Sequence, residues 1–225
     1  MTETEKKPEN RPPDATIIVG THCPHCPVVL ASLAEMLKAG TIGRLEAVNL
    51  EARPDVAEAL GVRSVPWIRI GPFTLTGAYR RPELEAWVEK AGSVEGQADY
   101  LAEMLGSGQL DVAEKFVRET PGSMVALIHL LADPQQKINV KSGLGVIFES
   151  LEGSPELAAA VDALGKLVES PSVEVRADAC HYLGLTHAPA ARPYLERCLK
   201  DDDADVREIA EESLALLQQA GNPET

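Results

Sequence analysis

Two cysteines separated by two residues, Cys23 and Cys26 in "THCPHCPVVLASL", stand where one hydrophobic period gives way to another. Before them "ATIIVG" (residues 15–20) is a short β-branched run ended by glycine, which predicts a buried strand. After them Val28, Val29, Leu33, Met36 and Leu37 recur at helical spacing until Gly40 stops the segment. A strand, a C-x-x-C and a helix in immediate succession leave the pair at a helix start. A redox centre, half of a metal site and two packing thiols are the three things such a pair can be.

The same reading carries on to residue 92. "RLEAVNL" (44–50) alternates as a second strand, "PDVAEALG" (54–61) is a short helix with proline in its first turn, and "VPWIRI" (65–70) is a third strand. Across the Gly71-Pro72 turn "FTLTG" (73–77) gives a fourth, and "PELEAWVEKAG" (82–92) closes with a helix. The expected order is β-α-β-α-β-β-α. The first fourteen residues, rich in Pro, Glu and Lys, read as a disordered tail.

From residue 109 the period is helical throughout, and it repeats. "VKSGLGVIFESL", "VRADACHYLGLT" and "VREIAEESLALL" each begin Val-(Lys/Arg), with small or apolar residues three, four and seven positions after the basic one, Glu211 excepted. Lys141, Arg176 and Arg207 are therefore equivalent positions of paired-helix units, each preceded by a turn ("ADPQQKIN", "ESPSVE", "KDDDAD"). No such unit buries its apolar face alone, so the units must stack. "GQLDVAEKFVRE" and "SMVALIHLLAD" supply helices to begin the stack. The chain is thus expected to hold a tail (1–14), an α/β domain (15–92), a connecting segment (93–108) and an all-α repeat domain (109–225).

Charge follows this division. Residues 1–92 carry 11 Lys plus Arg against 12 Asp plus Glu, whereas residues 93–225 carry 10 against 23, so nearly all of the net −14 belongs to the second half. Such a field repels phosphate backbones and anionic lipid, which argues against nucleic-acid and membrane partners. No apolar run approaches the roughly 20 residues that span a bilayer. The N-terminus is polar where a signal peptide has its apolar segment. A cytoplasmic protein is expected, and in that compartment four cysteines are too few and too exposed to reduction to be a disulfide scaffold.

The first domain resembles the thioredoxin fold, in which the C-x-x-C lies at the first strand-to-helix junction. "GVRSVPWIRI" is similar to the family stretch Gly-(Ile/Val)-Arg-x-(Ile/Val)-Pro that leads into the third strand, and Gly77-Ala78 to the Gly-Ala before the last helix. The resemblance implies a cis peptide at Pro66 beside the active site, leaving the Val65 backbone open to an extended client segment. Two features depart from thioredoxin itself. His22-Cys23-Pro24-His25-Cys26 replaces Trp-Cys-Gly-Pro-Cys, and Ile17 stands where thioredoxins carry a buried Asp. Pro24-His25 is similar to the dipeptide of disulfide-forming periplasmic oxidoreductases, whereas Pro27 and the compact size look more like glutaredoxins and protein disulfide oxidoreductases.

The second domain resembles HEAT repeats of the short kind, in which Asp-Val-Arg at the turn starts the inner helix. Asp205-Val206-Arg207 matches fully, Val175-Arg176 partly and Val140-Lys141 weakly.

Chemistry at a helix start favours thiolate: unpaired N–H groups and the helix dipole lower a cysteine pKa from about 8.5 toward roughly 3.5–7.5. Cys23 is expected to be the nucleophile and Cys26 the resolving thiol, with Pro24, His25, His22, Val65 and Pro66 as supporting residues. Zinc needs two further ligands, and the sequence has no second C-x-x-C and no H-x-x-x-H. No metal and no cofactor are expected. Trp67 is read as core in preference to groove wall, Cys180 as a small buried hydrophobe with Cys198 on the same footing, and His129 as structural. His181 and His187 invite a metal reading that their helical context does not support. The function read here is thiol-disulfide oxidoreductase, with the HEAT-like domain binding a protein. It needs a disulfide or dithiol client and a recycling reductant or oxidant. The alternative is a non-enzymatic adaptor with a redox-sensing module.

Overall fold

The structure, a computed structural model, describes residues 11–220. Most of the tail read at 1–14 therefore lies outside the described residues. The chain divides into two compact units, Met1–Gly96 and Gln97–Thr225.

The first unit is a four-stranded sheet with helices on both faces. Strands β1 (Ala15–Val19), β2 (Leu45–Asn49), β3 (Trp67–Ile70) and β4 (Phe73–Thr76) stand in the order β2-β1-β3-β4. β2 is parallel to β1, while β3 is antiparallel to both β1 and β4. Helices α1 (Cys26–Ala39), α2 (Pro54–Ala59) and α3 (Arg81–Lys90) complete the expected order. The third strand begins two residues later than its apolar pattern predicts, because Pro66 has no N–H to give a ladder.

Alternation along the strands assigns the two faces. Ala15, Ile17, Ile68, Ile70, Phe73 and Leu75 line one face and are buried under α1 and α3, with the Phe73 and Trp87 rings 5.2 Å apart. From α1, Val29, Leu33 and Met36 face inward at helical spacing. Truncating a fully buried leucine such as Leu33 to alanine costs roughly 2–5 kcal/mol. On the opposite face Ile18 and Trp67 pack against Ala57 of α2, bordered by Val48, Leu50, Val56, Leu60, Val62 and Val65. Trp67 is thus core, as its place on a central strand predicts.

The second unit is all helix. Its members are α4 (Val94–Gly106), α5 (Leu110–Glu119), α6 (Ser123–Leu131), α7 (Ile138–Ser150), α8 (Pro155–Ala158), α9 (Val161–Leu167), α10 (Val173–Leu185), α11 (Arg192–Cys198) and α12 (Ala204–Ala220). A short 3-10 turn at Pro189–Ala191 precedes α11. The segment read as a connection at 93–108 is largely the helix α4. Tyr100, Leu101 and Leu105 of α4 are buried, Tyr100 against the Phe116 ring at 4.8 Å. Its polar first turn and the Gly106-Ser107-Gly108 end disguise an ordinary i, i+4 apolar stripe.

The repeated basic position ties turns and neighbouring helices together. Lys141 Nζ reaches the Glu174 carboxylate at 2.7 Å. Arg176 grips Asp201 with two nitrogens, at 2.7 and 2.8 Å, and donates to the Ser170 carbonyl at 3.0 Å. Arg207 donates to the carbonyls of Asp201 and Asp202. Between α10 and α12 the backbones come close: a Cβ on Gly184 would lie 2.8 Å from the Ser213 side chain. Phe148 and Tyr182 stack at 4.1 Å between α7 and α10. Among the described residues no helix is long and apolar enough to cross a membrane.

Candidate functional site

The cysteine pair lies where β1 ends and α1 begins. Gly20 ends the strand, its carbonyl accepts the Cys23 N–H at 3.2 Å, and Cys26 is the first residue of α1. Cys23 and Cys26 form a disulfide with their Cα atoms 5.5 Å apart. The Cys26 N–H, unclaimed within the helix, points at Cys23 Sγ at 3.1 Å. Pro27 has no N–H, so it adds helix geometry without another orphan donor. Cys23 is half-buried, whereas Cys26 is 3% exposed. The two sulfurs are chemically equivalent in sequence and unequal in access.

His22, Pro24 and His25 are exposed around the pair. His25 is the N-cap residue of α1, and its side chain makes no capping hydrogen bond. Val65-Pro66 is a cis peptide, Pro66 is buried, and its carbonyl accepts the Gly77 N–H at 3.0 Å. Gly20 has its own reason to be glycine. A Cβ there would lie 3.1 Å from Val65 Cγ2, 3.5 Å from Glu51 Oε1 and 3.7 Å from Cys23 Cβ. The residue before the cis proline and the half-buried cysteine thus meet at one point, with a carboxylate beside them.

That carboxylate is a part of the site that sequence reasoning missed. Glu51 accepts the Thr21 N–H at 3.1 and 3.2 Å and the Thr21 hydroxyl at 3.2 Å. Asn49 donates to the Thr21 Oγ1 at 3.2 Å, and its own oxygen accepts the N–H groups of Glu51 and Ala52 at 3.0 Å. The Thr21 N–H is the main reason the Glu51 carboxyl is held below its ordinary range. The only sequence signal was Asn-x-Glu at the end of the second strand. By contrast Ile17, at the middle of β1, is fully buried.

The other cysteines are in the second unit. Cys180 and Cys198 are both buried free thiols. Hydrogen bonding with Cys198 and then burial push the Cys180 thiol well above its ordinary range. His187 has left-handed backbone and sets its ring 3.0 Å from the Glu152 carboxylate. His129 is exposed on α6, because the buried side of that helix is taken by Ala126, Leu127, Leu130 and Leu131. Among the described residues no group of three or more His, Cys, Asp or Glu side chains is placed to hold a metal ion.

Comparison with known families agrees with the two units. Residues 14–89 match the family model described as thioredoxin domain. Residues 124–215 match that described as HEAT repeats. No curated protein sequence matches the chain. The protein therefore joins a thioredoxin-like domain bearing a disulfide-spaced cysteine pair to a separate HEAT-like helical region.

Proposed function

We propose that the chain is a thiol-disulfide oxidoreductase working through Cys23 and Cys26, and that its HEAT-like region recruits a protein client. The observation that carries this reading is the unequal pair: a half-buried Cys23 whose sulfur already receives a helix N-terminal N–H, beside a buried Cys26. When the pair is reduced, the same N–H stabilises a Cys23 thiolate. The thiolate attacks a client disulfide, forming a Cys23–client bond while the other client sulfur leaves as thiolate and takes a proton. Cys26, deprotonated in turn, attacks Cys23 and expels the second client sulfur. Two electrons pass from the dithiol to the client, and a recycling reductant must restore them. Run in reverse, the same exchange oxidises a client dithiol and needs a recycling oxidant.

Pro66 and Val65 support a client-binding role, since the Val65 N–H and carbonyl take no hydrogen bond among the described residues. An extended client segment can pair there as an added strand. His22, Pro24 and His25 then form the rim that meets the client. Pro24-His25 is similar to the dipeptide of disulfide-forming periplasmic oxidoreductases, while Pro27 and the compact size support a domain of the glutaredoxin or protein disulfide oxidoreductase kind. The low cysteine count, with two buried thiols elsewhere, supports a cytoplasmic setting.

The test is turnover of a protein disulfide with excess dithiothreitol. Wild type should reduce it catalytically, Cys23→Ser should lose all turnover, and pre-reduced Cys26→Ser, with dithiothreitol removed before mixing, should accumulate a mixed disulfide in place of product. A wild type no faster than dithiothreitol alone overturns the reading.

A further inference from the structure

The structure assigns Glu51 a role in setting the reactivity of Cys23: it is a positioning residue that pins the Gly20–Cys23 turn and holds a negative charge beside the nucleophile. This rests on the oxidoreductase reading proposed above. The pinning is direct. Both carboxylate oxygens are engaged by Thr21, two residues before Cys23, through one N–H and one hydroxyl. Asn49 completes the clasp from the end of β2, holding the Thr21 hydroxyl with its amide nitrogen and the Glu51 backbone with its amide oxygen.

The charge acts on the same group. Glu51 Oε1 and Cys23 Cβ both lie within 4 Å of the point where a Gly20 Cβ would be. Those two distances put the carboxylate oxygen no more than about 7 Å from Cys23 Cβ. Glu51 is exposed, so water screens its charge, but at this range a carboxylate still disfavours a neighbouring thiolate. Charged and titratable groups come from each element around this point. The turn brings His22 and His25, both exposed; the first turn of α1 holds no acidic residue; and the cis-proline loop presents Val65 and carries the exposed Arg63 two residues earlier. The helix start favours the thiolate, and Glu51 is the one anion among these groups that opposes it. A thiolate held less stable makes the dithiol the stronger reductant, so Glu51 biases the exchange toward client reduction.

The test uses the full chain, reduced, with mass-mapped iodoacetamide labelling of Cys23 across pH for wild type, Glu51→Gln and Glu51→Lys. Gln keeps an acceptor for the Thr21 N–H while removing the charge, and Lys reverses it. The midpoint for Cys23 should fall in the order Glu, Gln, Lys, with the rate at pH 6 rising about threefold or more for Gln. The dithiol–disulfide equilibrium against glutathione should move toward the reduced form in the same order. Unchanged midpoints in folded variants overturn the assignment, as does an equal shift for Gln and Lys, which means a lost clasp without a charge effect. The labelling reads Cys23 whether or not the protein turns over a client. A protein without turnover whose midpoints still follow the charge therefore sinks the oxidoreductase reading and keeps the placement of Glu51.

Discussion

The molecule holds two pairs of cysteines in opposite circumstances. Cys23 and Cys26 are joined at a helix start, one sulfur half-exposed and supplied with a backbone N–H. Cys180, on α10, and Cys198, at the end of α11, are buried thiols among apolar repeat contacts. The difference teaches that reactivity belongs to the environment, because the thiolate needs nearby positive potential and a path to its target. The helical unit sets Arg176 near its pair but buries both thiols, so the path is missing. Its polar side chains serve the stack instead, as the Lys141–Glu174 and Arg176–Asp201 pairs show. In the sheet unit, polar side chains gather at one end of the strands, around Gly20.

The contrast breaks most visibly if the two pairs label alike. With the protein reduced and folded at pH 7, Cys23 should alkylate at least about a hundredfold faster than Cys180 or Cys198, which should react only on unfolding. Cys180 sharpens the comparison, since its raised thiol stays protonated through the pH range where an ordinary cysteine ionises. Mass-mapped labelling decides this, and equal rates at all the cysteines would end the distinction.

A smaller effect separates the units by stability. Arg176 and Asp201 are 15% and 10% exposed and bidentate, so Arg176→Ala should cost the helical unit about 2–3 kcal/mol in denaturant unfolding. Hydrogen bonding to Arg176 first, then the Asp203 N–H, holds the Asp201 carboxyl below its ordinary range. A depressed carboxyl contributes stability above its unfolded pKa of about 4 and loses it as pH falls through the folded value. The gap between wild type and variant should therefore close in acid. Cys23 labelling should not move.

The smallest effect is expected from removing the helical unit altogether. A fragment ending at Gly96 should fold and reduce a small disulfide within about twofold of the full chain, because the sheet unit has its own core on both faces of the sheet. Circular dichroism and turnover check it, and an unfolded fragment means that the two units depend on each other.

Much of this was legible in the sequence because it is local. The β-branched run before Cys23, the helical spacing after it and the Val-(Lys/Arg) repeat each act within a few residues or recur at a fixed interval, and each produced the element it predicts. Where the signal was weak, reading failed for identifiable reasons. α4 begins polar and ends in glycines, so its buried stripe of Leu101 and Leu105 passed for a connection.

By itself, then, the sequence determined the helix-start cysteines, the proline before the third strand and the stacking period, all set by neighbours along the chain. Only the tertiary structure decided what surrounds Cys23. Parallel pairing places Val19 beside Asn49, so the residues beyond both strand ends run on side by side, and Thr21 meets Glu51 across thirty positions of sequence. No local preference encodes that meeting. It follows from strand register, which is fixed by burying Ile17 and Ile18 on opposite faces of the sheet, and a slip of one residue would turn both the wrong way.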